Sequence, residues 1–152
     1  MLNPPMKYSQ DGTNLTKLFE QCRLVAYPDS GGVWTIGWGH TRGVKKGDTC
    51  TQEQADAWLQ QDLKFAIDNV NAVVDVSLTQ GEFDSLCDFS FNCGTKALDS
   101  STLLRLLNAG DFKDAAEQFQ KWDHVGGVVV AGLLRRRLAE EKEFETTGES
   151  NA

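Results

Sequence analysis

Residues 19–41 read FEQCRLVAYPDSGGVWTIGWGHT, and the change of rhythm inside this stretch decides the local fold. Upstream of it, Leu15, Leu18, Phe19 and Cys22 fall at helical offsets behind the capping residues Asp11 and Thr13, which predicts a short amphipathic helix over 11–22 with Glu20 near its end. Val25 and Tyr27 then alternate as in a strand, Pro28-Asp29-Ser30-Gly31-Gly32 is turn chemistry, and Val33 to Trp38 is rich in strand formers. This order predicts a β-hairpin, either alone or extended by a third strand into a three-stranded sheet. Such a bend gathers Glu20, Asp29 and Thr35, two carboxylates and a hydroxyl. That set suits glycoside hydrolysis, in which one carboxyl donates a proton to the leaving oxygen while the other stays ionised to direct water.

Beyond the hairpin the chain turns helical. Thr51 with Gln54 makes a capping box, and Ala55, Trp58 or Leu59, Leu63, Ala66, Ile67, Val70 and Val74 hold an apolar stripe over more than five turns. A second box, Thr79 with Glu82, opens a helix that Asn92-Cys93-Gly94 closes. Further helices are expected over 101–108, 111–122 and 133–144, with 1–8 and 146–152 frayed. The resulting fold class is α+β, mainly α: one domain, 1–152, in which a small lobe (about 11–50) is joined by a long helix (about 51–74) to a larger all-helical lobe (about 75–146). An extended polymer fits the cleft between such lobes.

Composition narrows the partners. A net charge of −7 on 152 residues argues against nucleic acid, whose backbone rewards clustered Lys and Arg. No apolar run is long enough to span a bilayer, and the N-terminus lacks the apolar core of a secretory signal. Arg135, Arg136 and Arg137 precede Glu140, Glu141, Glu143 and Glu145, a pattern that reads as a solvated helix laced with charge pairs. Cys22, Cys50, Cys87 and Cys93 lack metal-ligand spacing and His40 and His124 lie far apart, so no metal and no cofactor is expected and the thiols read as free.

With these residues in view the chain resembles the phage-type lysozymes, the endolysins of glycoside hydrolase family 24. Thr35-Ile36-Gly37-Trp38-Gly39-His40-Thr41 fits that family's hairpin, with Glu20 and Asp29 at its offsets. Phe83-Asp84-Ser85-Leu86, Phe91-Asn92-Cys93-Gly94, Ser101-Thr102-Leu103-Leu104 and Leu134-Arg135-Arg136-Arg137 match four later segments in order, so the resemblance covers roughly residues 15–145. It implies a lysozyme-like fold and hydrolysis of the β-1,4 bond between N-acetylmuramic acid and N-acetylglucosamine in peptidoglycan by an inverting mechanism. Glu20 would be the general acid, and Asp29 and Thr35 would hold the attacking water. The resemblance also implies a saccharide cleft lined by Gly39, Thr41, Phe91, Asn92 and Cys93. One arginine, Arg135 or Arg136, would reach Glu20 and fix its rotamer. His40 reads as a structural prop, paired with a carboxylate of the long helix such as Asp62.

Three alternatives share parts of this pattern. A lytic transglycosylase cuts the same bond with one acid, but Asp29 and Thr35 argue against it. A cysteine amidase would need Cys22 or Cys50 activated beside His40, and neither thiol has such a context. A non-catalytic peptidoglycan-binding module would have no use for the intact triplet. The expected protein is a monomer that binds glycan strands, forms no stable membrane association, and waits in the host cytoplasm until a holin opens the membrane.

Overall fold

The computed structural model describes residues 4–125 and 127–146. Helix α1, Gln10–Glu20, starts one residue before the expected span because Ser9, not Asp11 or Thr13, is its cap; the Ser9 hydroxyl accepts from Gly12 N at 3.1 Å. Tertiary contact sets this choice. Asp84 of the helical lobe accepts from Ser9 N at 3.2 Å and also contacts its hydroxyl. The helix stops at Glu20, short of Cys22, because Gln21 turns to φ 54, a left-handed conformation costly for a side chain.

Strands β1, Arg23–Pro28, and β2, Trp34–Gly37, pair antiparallel with Tyr27 opposite Thr35 and Pro28 opposite Trp34. Asp29 builds the turn between them, its Oδ1 accepting from Gly31 N at 2.9 Å and Val33 N at 2.8 Å. Of the two alternatives the hairpin alone forms, without a third strand among the described residues. Residues 48–50 make two bonds to β1, Ala26 N to Asp48 O and Cys50 N to Leu24 O, and only one bridge, Val25 to Thr49. The next residue, Thr51, is already committed as a helix cap, which limits the run to three residues.

Helix α2, Gln52–Val73, opens with the predicted capping box and buries Ala55, Leu59, Leu63, Ala66 and Val70 along one stripe. Helix α3, Gln80–Cys93, also opens with its box and is buried from Phe83 to Ser90, placing it at the centre of the helical lobe. Around it lie α4, Thr95–Asp99, a short helix the sequence did not announce, then α5, Thr102–Asn108, and α6, Phe112–Gln118. A single 3-10 turn, Phe119–Lys121, leads to a two-residue hairpin, β3 His124–Val125 and β4 Val128–Val129, and to α7, Ala131–Phe144. Phe89 meets Phe119 and Trp122 edge-on, with centroids 5.8 and 5.4 Å apart, and Phe119 meets Phe144 at 5.5 Å. No helix among the described residues is long and apolar enough to cross a membrane.

Residues 4–8 are docked where fraying was expected. Met6 N donates to Asn71 Oδ1 at 2.9 Å, Asn71 Nδ2 donates back to Met6 O at 3.0 Å, and the Tyr8 hydroxyl lies 2.7 Å from Thr16 Oγ1. Burial, seconded by the charge of Asp88, pushes the Tyr8 phenol far above its ordinary range. The expectation for 1–3 and 147–152 falls outside the described residues.

Candidate active site

A cleft of about 490 Å³ runs between the hairpin and the helical lobe. Glu20, Tyr27, Asp29, Thr35, Gly39 and Thr41 line its hairpin side. Arg42, then Asp62 and Phe65 of α2, and Phe91 and Asn92 of α3 are among the other lining residues. The three residues singled out at the bend therefore share one cavity. Asp29 is exposed, with one carboxylate oxygen spent on the turn; Thr35 is buried and its hydroxyl donates to Val33 O at 2.9 Å, leaving its lone pairs free.

Glu20 ends α1 with its side chain 17% exposed, and Arg136 NH1 donates to its Oε2 at 2.7 Å. Of the two arginine candidates Arg136 makes this contact, while Arg135 points away on the exposed side of α7. Gly39, which lines the cleft, also makes room for Glu20. At φ 86 it carries no side chain, and a Cβ there would fall onto the Glu20 carboxylate.

Beneath Glu20 lies a buried charge cluster that the sequence reading missed. Arg136 is held from below by Asp88, its Nε donating to Oδ2 at 2.9 Å and its NH2 to Oδ1 at 2.8 Å. Thr16 Oγ1 donates to the same Oδ1 at 2.7 Å. Arg137 pairs with Glu140, Nε to Oε1 at 2.6 Å, and both are fully buried. Burial resists the charge on Asp88, yet the hydrogen bond from Glu140, the charge and bonds of Arg136 and the Thr16 hydroxyl overcome it and bring its pKa down to about 2. Burial pushes Glu140 the other way, well above the usual carboxylate range, and its contact with Asp88 adds to this.

The arginine run is thus not a solvated face. Arg136, Arg137, Glu140 and Phe144 form the buried side of α7. The clue was available: 137, 140 and 144 fall at helical offsets in line with Leu133, so two charged residues occupy an apolar stripe. Cys93 departs from expectation as well. Its sulfur accepts from Arg137 NH1 instead of facing the cleft, and burial, partly countered by that cation, pushes its thiol up to about 11. Asn92 does line the cleft, while its Oδ1 accepts from Arg137 NH2 at 2.8 Å.

His40 is a prop, as its position suggested. Its Nδ1 lies 2.8 Å from Asp62 Oδ2, and its ring stacks on Trp58 at 4.6 Å with a 7° interplanar angle. All four cysteines are free thiols. Among the described residues no group of three or more His, Cys, Asp or Glu is arranged to hold a metal ion.

The family model described as phage lysozyme matches residues 17–140. The chain is 41% identical over 145 residues to the endolysin of Acyrthosiphon pisum secondary endosymbiont phage 1, covering 93% of this chain and 99% of that one. It is 43% identical over 148 residues to the endolysin of Bacillus phage B103, covering 95% of this chain but 56% of the relative. Among solved structures, the endolysin from Escherichia coli O157:H7 phage FAHEc1 superposes with a TM-score of 0.86 at 36% identity, covering 93% of this chain and 95% of that one.

Proposed function

The chain belongs to the phage lysozyme family and is an endolysin with lysozyme activity; from that premise we propose which residues carry the reaction and how. Glu20 is the general acid, delivering a proton to the glycosidic oxygen between N-acetylmuramic acid and N-acetylglucosamine of peptidoglycan. Asp29 takes the proton of the attacking water and steadies positive charge developing on the ring, while the lone pairs of Thr35 hold that water. The attack comes from the face opposite the leaving group and inverts the anomeric carbon. Arg136 holds the Glu20 carboxylate to one rotamer, so that the acid meets the scissile bond pre-oriented.

The observation that carries this reading is the Glu20–Arg136 pair at the cleft wall, 2.7 Å long and anchored from below by Asp88. A carboxylate on an exposed helix end would have no reason to be held so firmly. Gly39, Thr41, Phe91 and Asn92 belong to the saccharide-binding wall in the same reading. The test is Glu20→Gln on purified peptidoglycan, with products read by mass spectrometry. The expected result is a loss of roughly 10²- to 10⁴-fold in rate, the scale of a general acid, with an unchanged fold by circular dichroism, and wild-type products ending in reducing muramic acid. Anhydro-muramic ends would overturn hydrolysis, and full activity of the variant would overturn the role of Glu20.

A stay in the host cytoplasm and release by a holin belong to the same proposal. They are checked by expressing the chain with and without a holin and following culture lysis; lysis that needs no holin would refute this part.

A further inference from the structure

We propose that Arg42, laid against Phe65 on the cleft wall, binds a carboxylate of the peptide carried by the muramic acid of the strand being cut. The proposal rests on the lysozyme reading above. Of the charged side chains lining the cleft among the described residues, Glu20, Asp29 and Asp62 are acidic and Arg42 alone is cationic. Asp62 is already taken by His40. Arg42 forms no ion pair with any described residue; its guanidinium instead lies 4.6 Å from the centroid of Phe65, a ring left 54% exposed on α2.

A guanidinium over a ring spends none of its N–H groups on a carboxylate, and the ring limits the rotamers it can explore. That is a prepared receptor for a planar anion. Arg42 also stands in a basic loop. Lys45 and Lys46 follow it, both exposed, on a chain whose net charge is −7. The other basic run has two of its three arginines buried in ion pairs. The substrate supplies one matching group: N-acetylglucosamine is neutral and the lactyl carboxyl of a peptide-bearing N-acetylmuramic acid is spent in its amide link to that peptide, so the free carboxylates at such a site reside on the peptide. A cation on the wall of an otherwise acidic cleft therefore addresses the peptide, not the sugar ring.

The experiment is a substrate-by-variant cycle. Wild type, Arg42→Ala, Arg42→Lys and Phe65→Leu are assayed on native peptidoglycan and on the same peptidoglycan with its peptide carboxylates chemically amidated. On native wall Arg42→Ala should raise KM roughly threefold to tenfold, the scale of a rim charge pair strengthened by a forked hydrogen bond. Arg42→Lys and Phe65→Leu should fall between it and wild type. On amidated wall, wild type and Arg42→Ala should converge, and the wild-type dependence of KM on salt should flatten. An Arg42→Ala effect of equal size on both substrates, or none on either, overturns the proposal. Should wild type release no reducing muramic ends from native wall, the lysozyme reading itself fails, a result visible before any variant is compared.

Discussion

Replacing Gly39 by alanine tests the packing of the proposed acid directly. Two costs add at this position. The backbone sits at φ 86, where a side chain costs about 1 to 2 kcal/mol. The new Cβ would also fall onto Glu20 Oε1 and within 3.0 Å of its Cδ. The carboxylate must move, which weakens its bond to Arg136; a hydrogen bond to a charged group is worth about 1.5 to 3 kcal/mol. The sum is about 3 kcal/mol or somewhat more, which for a chain of this size lowers Tm by roughly 6 to 12 °C. A displacement of about 1 Å at the acid should cost about 10²-fold in lytic rate. Gly47→Ala supplies the control. Gly47 has φ 88 but nothing within 4 Å of its would-be Cβ, so that variant should lose the backbone share of stability and none of the activity. Thermal unfolding by circular dichroism and clearing of a peptidoglycan suspension measure both quantities. A Gly39→Ala variant that lyses within about threefold of wild type, or that behaves like Gly47→Ala in both assays, refutes the reasoning.

The buried cluster yields the remaining predictions. The pKa of Asp88 is about 2 in the fold against an ordinary 3.8, so its ionisation stabilises the protein above the ordinary value and that share disappears as pH falls toward 2; it amounts to about 2 to 3 kcal/mol. The stability gap between wild type and Asp88→Asn should therefore narrow between pH 4.5 and pH 2.5 in urea unfolding, and a gap that stays constant contradicts the assignment. Arg136→Met should strip Asp88 and Glu20 of their shared cation, cost about 3 to 5 kcal/mol and abolish lysis, whereas Arg135→Ala at an exposed position should leave both nearly unchanged; equal effects of the two would count against the Arg136 anchor. Tyr8→Phe removes the hydroxyl contact with Thr16 and should cost about 1 kcal/mol in denaturant unfolding, while no measurable change would mean that residues 4–8 contribute little to stability.

Local signals carried most of the fold. The capping boxes at Thr51 and Thr79 placed α2 and α3 to within a residue, because a helix start is decided by side chains three positions apart. Where the reading slipped, a distant partner had taken over. Ser9 became the α1 cap because Asp84 lies beside it, and Met6 docked because Asn71 supplies both a donor and an acceptor. The missing third strand reflects competition for residues between a sheet and a cap. Glu20, Asp29 and Thr35 come to line one cleft because α1 ends two residues before the hairpin whose turn and second strand hold the other two. The buried cluster of Asp88, Glu140 and Arg137 was not legible, since its burial and the contacts to Asp88 depend on α3 and α7 packing face to face, and a run of arginines and glutamates is usually a wet surface. Cys93 depends on the same packing: the last turn of α3 places its sulfur against Arg137, and it is not among the residues that line the cleft.

The ion pair between Arg136 and Glu20 spans 116 positions of sequence. A ribosome makes the hairpin before α7, so a nascent chain holds Glu20, Asp29 and Thr35 well before it holds the arginine that contacts Glu20. Closing so long a loop is slow compared with forming either helix. Translation thus leaves Glu20 without its partner until α7 has been made, and a product truncated before α7 would carry Glu20, Asp29 and Thr35 without the arginine that fixes the Glu20 carboxylate.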